Sequence, residues 1–166
     1  MAGDIRKADN RENPMTTQTN EDRTIRRALR ILEKRLSHLG DRQPILSQHD
    51  AALYLVMMLA ERKAEVFVVL FLDVRYRLIA SREMFQGTVD QAAVYTREVL
   101  RAVIETNAVA VVLAHNHPAG IASPSEADRA ITRRLVKALE LIDVRVLDHI
   151  IVGGARTYSF AEHGLL

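Results

Sequence analysis

Two histidines stand one residue apart at positions 115 and 117, and Ser125 and Asp128 follow them closely, in the stretch LAHNHPAGIASPSEAD. The run that leads into them, AVAVVLAH, is short, continuous and Val-rich, the pattern of a strand buried on both faces. In extended backbone the side chains of residues i and i+2 leave from the same face. His115 and His117 therefore converge on one point at a strand's end. The SPSE that follows reads as a helix start, with Ser123 as N-cap, Pro124 at the first helical position and Glu126 completing a capping box. On that reading Ser125 and Asp128, three apart, share one face of the first turns.

Two imidazoles and a carboxylate form a three-ligand set for Zn²⁺ that leaves the fourth position to water, the arrangement of a catalytic rather than a structural site. Zinc lowers the pKa of its water to about 7, so hydroxide is available near neutral pH. Hydrolysis at such a site needs two more groups: a carboxylate to take and return a proton, and a donor facing the oxyanion. Ser125 beside Asp128 suits the donor role, although serine also favours a helix start for its own sake. For the carboxylate, Glu61, Glu65, Glu83, Glu98 and Glu105 are all open. Glu65 is distinctive in heading an otherwise apolar strand, which a solvated strand end explains equally well on spacing alone.

A lone His-x-His is weak, but here Pro-x-Gly follows it and a capped helix delivers Ser and Asp together, which favours a site over coincidence. His149, in VLDHIIVGG, reads as a strand-end histidine bonded to backbone in preference to a supporting partner of the site. His38, His49 and His163 read as surface residues. The chain has no cysteine, which excludes disulfides, thiolate ligands and a Cys nucleophile, and with them the Cys-x-x-Cys zinc set of the nucleic-acid deaminases.

The elements that must position these residues follow from composition and period. With 166 residues, 48% of them hydrophobic, the chain can bury one sizeable core in one domain. Residues 1–20 carry few large apolar side chains and read as a disordered tail, within which Met15 is a candidate natural start. Residues 21–44 read as an amphipathic helix and a linker: Ile25, Leu29, Leu32 and Leu36 fall at helical spacing and Gly40 is the stop. The opposite face carries Arg23, Arg26, Arg27, Arg30, Lys34 and Arg35, read as a solvated face in preference to a contact with nucleic-acid phosphates. A net charge of +2 neither demands nor excludes such a partner.

A second helix starts near Ser47 and runs through AALYLVMMLAERK, apolar nearly all round and so buried, with Met57 and Met58 as core filler. AEVFVVLFLD and LIASREMFQG read as two strands joined by a polar turn at residues 73–77, and DQAAVYTREVLRAVIETN as a helix. After the histidine loop come another amphipathic helix and then VRVLDHIIVGG and RTYSFAEHGLL, two strands or a strand and a frayed end. Helices interleaved with four or five strands make an α/β layered domain. The N-terminus lacks an apolar signal region and no run approaches the ~20 apolar residues of a membrane helix, so a cytoplasmic protein with no membrane partner is expected.

His-x-His, seven residues and then Ser-x-x-Asp resembles the JAMM motif of the JAB/MPN metalloproteases, and HNHPAG with DHIIVGG resembles its RadC branch. The resemblance covers residues 45–166. It implies a three-layer α/β fold, a mixed sheet flanked by helices and similar to that of the cytidine deaminases. It further implies one Zn²⁺ per chain on His115, His117 and Asp128, an oxyanion donor in Ser125, and a protein or peptide substrate. Among the glutamates it selects Glu65 as the general acid and base, because AEVFVVLFLD resembles the family's strand E-x-F-x-V-L-x-L-D. There are two departures. Longer RadC proteins carry a helix-hairpin-helix region associated with DNA that this chain lacks, and Ala119 stands where Ser is usual. The chain is most similar to the short RadC-like proteins of prophages and plasmids. The rival reading is a DNA-associated accessory protein, in repair or mobile-element maintenance, whose zinc site is not catalytic.

Overall fold

The computed structural model describes residues 14–38, 47–87 and 94–166. Its elements follow in the order α1 (Pro14–His38), α2 (Gln48–Leu59), β1 (Val66–Leu72), β2 (Leu78–Gln86), α3 (Thr96–Thr106), β3 (Ala110–Asn116), α4 (Glu126–Glu140), β4 (Arg145–Gly153) and β5 (Arg156–Ser159). The five strands form one sheet in the order β2-β1-β3-β4-β5. Its neighbours are antiparallel except for β3 and β4, which run parallel and are joined by α4. Only a long crossover can join parallel neighbours, and a helix is the usual one. The sheet is therefore mixed, as expected, and α4 lies directly after the histidine loop because it makes the crossover.

The two-residue period of the central strands divides the core. Val66, Val68, Leu70 and Leu72 of β1 join Val112 and Ala114 of β3 on one face, where Tyr54, Leu55 and Leu59 of α2 and Leu36 of α1 cover them. Phe67, Val69 and Phe71 join Val111 and Leu113 on the other, beneath Val99 and Val103 of α3 and Leu135 and Leu139 of α4. Both strands are buried along their whole length, which is why they read as continuous apolar runs. The result is three layers, helix–sheet–helix. Odd-numbered residues of β3 face α3 and α4, so His115, which pairs with Phe67 across β1, projects into that layer.

The structure differs from the sequence reading in the starts of α1 and α3 and in the burial of α2. α1 begins at Pro14, inside the segment whose composition suggests disorder. Pro14 suits a first helical position, and the polar turns after it carry no apolar stripe by which a pattern could detect them. Residues 1–13 and the expected stop at Gly40 lie outside the described residues. α2 is less enclosed than its composition suggests, since Leu53 remains 43% exposed. α3 begins at Thr96 instead of Asp90, with Tyr95 extended at its N-cap, while residues 88–93 lie outside the described set. The Tyr95 ring meets Phe85 edge-on at 5.9 Å and Arg134 Nη2 donates to the Val94 carbonyl at 2.9 Å, so packing holds residues 94 and 95 out of the helix.

Leu70 lies fully buried in β1 between two paired strands. Leu70→Ala is expected to lower unfolding free energy by roughly 2–5 kcal/mol, the range for a leucine-to-alanine cavity in a core. Ile104→Ala, at a site 69% exposed, should stay within ~0.5 kcal/mol. Urea titrations of the two variants check the contrast.

Candidate metal centre

His115, the penultimate residue of β3, is 1% exposed, and His117 follows one residue beyond the strand. The His117 N–H donates to the Val152 carbonyl at 2.8 Å, which carries the pairing with β4 past the strand's end. The His117 ring Nδ1 lies 2.8 Å from the Ile121 carbonyl. A carbonyl only accepts, so Nδ1 bears a hydrogen, and in the neutral ring Nε2 presents its lone pair. The loop that supplies this carbonyl lies on Gly153, where a Cβ would stand 2.5 Å from Ala122 N and 2.7 Å from Ile121 C. A glycine at 153 therefore lets the histidine loop close down on β4.

The third group arrives on α4. The helix starts at Glu126 with Ser125 as N-cap, so the expected cap at Ser123 and capping box through Glu126 are corrected. Both Ser-x-x-acid registers were available to the chain. The one adopted joins Ser125 to Asp128: the Asp128 N–H donates to Ser125 Oγ at 3.2 Å, and the Ser125 N–H donates to Asp128 Oδ2 at 2.7 Å. The Ser125 hydroxyl also donates to Oδ2, at 2.6 Å. This register wins because it brings the Asp128 carboxylate against the histidines. His115 Nε2 lies 3.1 Å from Oδ1 and His117 Nε2 lies 3.5 Å from Oδ2. The two Nε2 atoms are 3.0 Å apart. Among the described residues, His115, His117 and Asp128 form a metal-ligating group whose donor atoms all lie within 4.8 Å of one another. Two imidazoles and a carboxylate oxygen aimed at one point suit a borderline-soft divalent ion such as zinc.

Electrostatics agree with this geometry. Burial works against the Asp128 charge, but its contacts with the rings of His115 and His117 and with the Ser125 hydroxyl outweigh it and hold the carboxyl well below the usual range. The bond to Asp128 raises His117 above its ordinary 6.5 against the opposing effect of burial, with smaller support from the Ile121 carbonyl and from the charge of Glu65.

The group lies in a cleft of about 930 Å³ walled by Glu65, Phe67, Tyr95, Ile131 and Arg134. Of the candidate glutamates, Glu65 borders it. Glu83 pairs with Arg62, Glu98 with Arg101 and Glu105 with Arg82, all on the surface, and Glu61 lines a groove between α1 and α2. Asn116, between the two histidines, points the opposite way and ties down the segment that carries Glu65. Its Oδ1 accepts from Val66 N at 2.8 Å and its Nδ2 donates to the carbonyls of Arg62 and Ala64 at 3.2 and 3.1 Å. Alternation along β3 would have placed Asn116 on that face, but no pattern in the chain names its partners.

The reading of His149 as a backbone-bonded histidine is corrected. Its side chain is fully buried, with Nε2 2.9 Å from His115 Nδ1 and Nδ1 2.6 Å from Thr132 Oγ1. The sequence reading also passed over Thr132. The only local signal was its place four residues after Asp128, one helical turn on. His49 and His163 are exposed, as expected, and the side chain of His38 lies outside the described residues.

The family model described as RadC-like JAB domain matches residues 45–165. The chain belongs to the RadC-like JAB family. It is 47% identical to the UPF0758 protein YkfG of Escherichia coli K12 over 92% of this chain and 94% of that protein. It is 45% identical to YfjY of the same strain over 92% of each. With the UPF0758 protein of Marinobacter nauticus the identity is 50% over 84% of this chain, which spans 61% of the relative's length. The RadC-like fold accounts for the mixed sheet between helices. Among its described residues, no helix is long and apolar enough to cross a membrane.

Two predictions follow from the site. Removing the Asn116 side chain leaves a buried N–H and two carbonyls without their partner, so Asn116→Ala should cost roughly 1–3 kcal/mol in chemical denaturation. In the metal-free chain His117 keeps its proton above pH 6.5, and a metal must displace it. Zinc affinity measured by chelator competition should therefore climb as pH rises through that range, with proton release on binding. A flat profile from pH 6 to 8 would contradict this.

Proposed function

We propose that this chain is a metal-dependent hydrolase of amide or isopeptide bonds, using one zinc ion held by His115, His117 and Asp128. The observation that carries this reading is the convergence of the three donor atoms in a cleft that Glu65 borders. The set leaves room for a non-protein ligand, as catalytic zinc sites do. Bound there, zinc would supply a Lewis acid and a water ionised near neutral pH.

The remaining requirements fall on the protein. The Glu65 carboxylate is half-buried, faces the charge of His117, and makes no hydrogen bond among the described residues. In this reading it would take a proton from the attacking water as that oxygen bonds to the substrate carbonyl carbon. It returns that proton to the nitrogen as the C–N bond breaks, leaving a carboxylic acid and an amine. Ser125 Oγ is held by the Asp128 N–H, so its hydroxyl hydrogen can turn from Asp128 Oδ2 to the carbonyl oxygen of a substrate as negative charge develops there. Phe67, Tyr95 and Ile131 give the cleft an apolar wall, beside which these electrostatic contacts are stronger than in water.

A second reading, a DNA-associated accessory role, is supported by the exposed arginines of α1, Arg23, Arg26, Arg27 and Arg30. Their contribution would be sequence-independent phosphate contact, which weakens steeply with salt. Binding of duplex DNA that survives physiological salt would favour this role over hydrolysis.

The test of the first reading uses a library of fluorogenic peptides and isopeptides with the zinc-loaded chain. Glu65→Gln keeps shape but cannot accept a proton. It should retain zinc and lose roughly 10²-fold or more in rate, the usual scale for lost acid–base help. Ser125→Ala should also retain metal and lose rate to a comparable degree, with about 1 kcal/mol of stability lost because Ser125 caps α4. Asp128→Ala should lose metal and rate together. If Glu65→Gln turns over a verified substrate as fast as wild type, Glu65 is not the base.

A further inference from the structure

We propose that His149 and Thr132 form a one-way hydrogen-bond chain that holds His115 as its Nδ1–H tautomer, with the Nε2 lone pair turned to the metal point. The inference rests on the metal site proposed above and adds two positioning residues to it, neither of which would touch metal or substrate.

The direction of the chain follows by elimination from its far end. Thr132 Oγ1 lies 2.5 Å from the Asp128 carbonyl oxygen. Two oxygens that close need a hydrogen between them, and only the threonine carries one. The single Thr132 hydroxyl hydrogen is thereby committed, so the 2.6 Å contact between Thr132 Oγ1 and His149 Nδ1 requires the hydrogen to be on Nδ1. The His149 ring is fully buried between Phe67 and Phe160, where an imidazolium is costly and the neutral ring is favoured. A neutral ring with Nδ1–H carries a lone pair on Nε2. That lone pair accepts from His115 Nδ1 at 2.9 Å, so the His115 hydrogen is on Nδ1 as well. His115 Nε2 is then a lone pair, aimed at the point shared with His117 Nε2 and Asp128 Oδ1. The opposite assignment would leave His149 Nδ1 and Thr132 Oγ1 as two acceptors in contact, and would turn a hydrogen of His115 toward the metal.

The rings cannot escape this choice by turning. His149 stacks on Phe160 with centroids 4.9 Å apart and meets the edge of Phe67 at 5.7 Å. Phe67 in turn stacks on His115. The chain also closes on itself, because the carbonyl that anchors Thr132 belongs to Asp128, itself a proposed ligand. One circuit of four residues therefore spans β3, β4 and α4 and sets the orientation of both buried ligands. Partners of this kind keep an imidazole in the binding tautomer and raise its basicity, and their loss typically costs 10–100-fold in metal affinity.

The test reads zinc affinity by chelator competition, and ring tautomers by ¹⁵N NMR of the metal-free chain. His149→Phe fills the same space without an acceptor and should bind zinc 10–100-fold more weakly than wild type. His149→Gln restores an acceptor toward His115 and should recover part of that loss, which a purely packing role would not produce. Thr132→Val keeps the shape of the threonine, removes its hydroxyl, and should weaken binding in the same direction. In the metal-free wild type, His115 and His149 should both show Nδ1 protonated, with His149 Nε2 bare. Unchanged zinc affinity in both His149→Phe and Thr132→Val, or a His115 ring bare on Nδ1, would overturn the assignment. Wild type that binds no zinc would instead defeat the metal-site reading, and the NMR result would still decide the direction of the chain.

Discussion

Asp128 carries a charge where water scarcely reaches, and the rest of the site is arranged around satisfying it. A buried carboxylate is costly unless hydrogen bonds replace its lost hydration. Here Ser125 supplies both its N–H and its hydroxyl to Oδ2, while the rings of His115 and His117 lie against the two oxygens. Each of these partners depends on a different part of the fold. Ser125 is in place because it caps α4, His115 because β3 ends where it does, and His117 because the loop beyond β3 is pinned to Val152 and lies on Gly153. Replacing the two imidazole contacts by a divalent cation would satisfy the same charge, which is why an anionic pocket of this kind suits a metal ion.

The sheet contributes parity and depth. Because β1 and β3 are buried on both faces, one alternation settles two functions at once. Odd-numbered residues put His115 and Phe67 under α4, while Asn116, even-numbered, turns the other way and fastens the strand entry that holds Glu65. Glu65, just before β1, and His115, at the end of β3, are thus held near each other by the antiparallel pairing of those two strands. α4, required as the crossover between the parallel strands β3 and β4, delivers Asp128 at its first turn and Thr132 one turn later.

How much of this was legible in the sequence depends on whether the information was local. His115 and His117 could be read because a period of two at a strand's end puts both on one side, and Asp128 because helical spacing and a cap place it near Ser125. The register of that cap was not legible, since Ser123 and Ser125 each precede an acid by three residues, and the choice between them was made by contacts with the histidines. Glu65 could not be separated from four other glutamates by spacing; family resemblance selected it, and the cleft distinguishes it in the structure, where tertiary ion pairs occupy Glu83 and Glu105. His149 was misread for the same reason. Its partners belong to β3 and α4, and a residue in an apolar strand gives no local sign of what it meets across the sheet. Pro14 and the polar turn after it show the converse, a helix start whose sequence holds no apolar pattern to read.

The central claim is that His115, His117 and Asp128 hold one ion and leave a position open beside Glu65. The most direct measurement is a crystal structure of the zinc-loaded chain with anomalous diffraction at the zinc edge. The expected result is a single peak about 2.0–2.2 Å from His115 Nε2, His117 Nε2 and an Asp128 carboxylate oxygen, with a solvent molecule as the remaining ligand on the Glu65 side. A peak elsewhere, or an ion closed off by four protein ligands, would contradict the account.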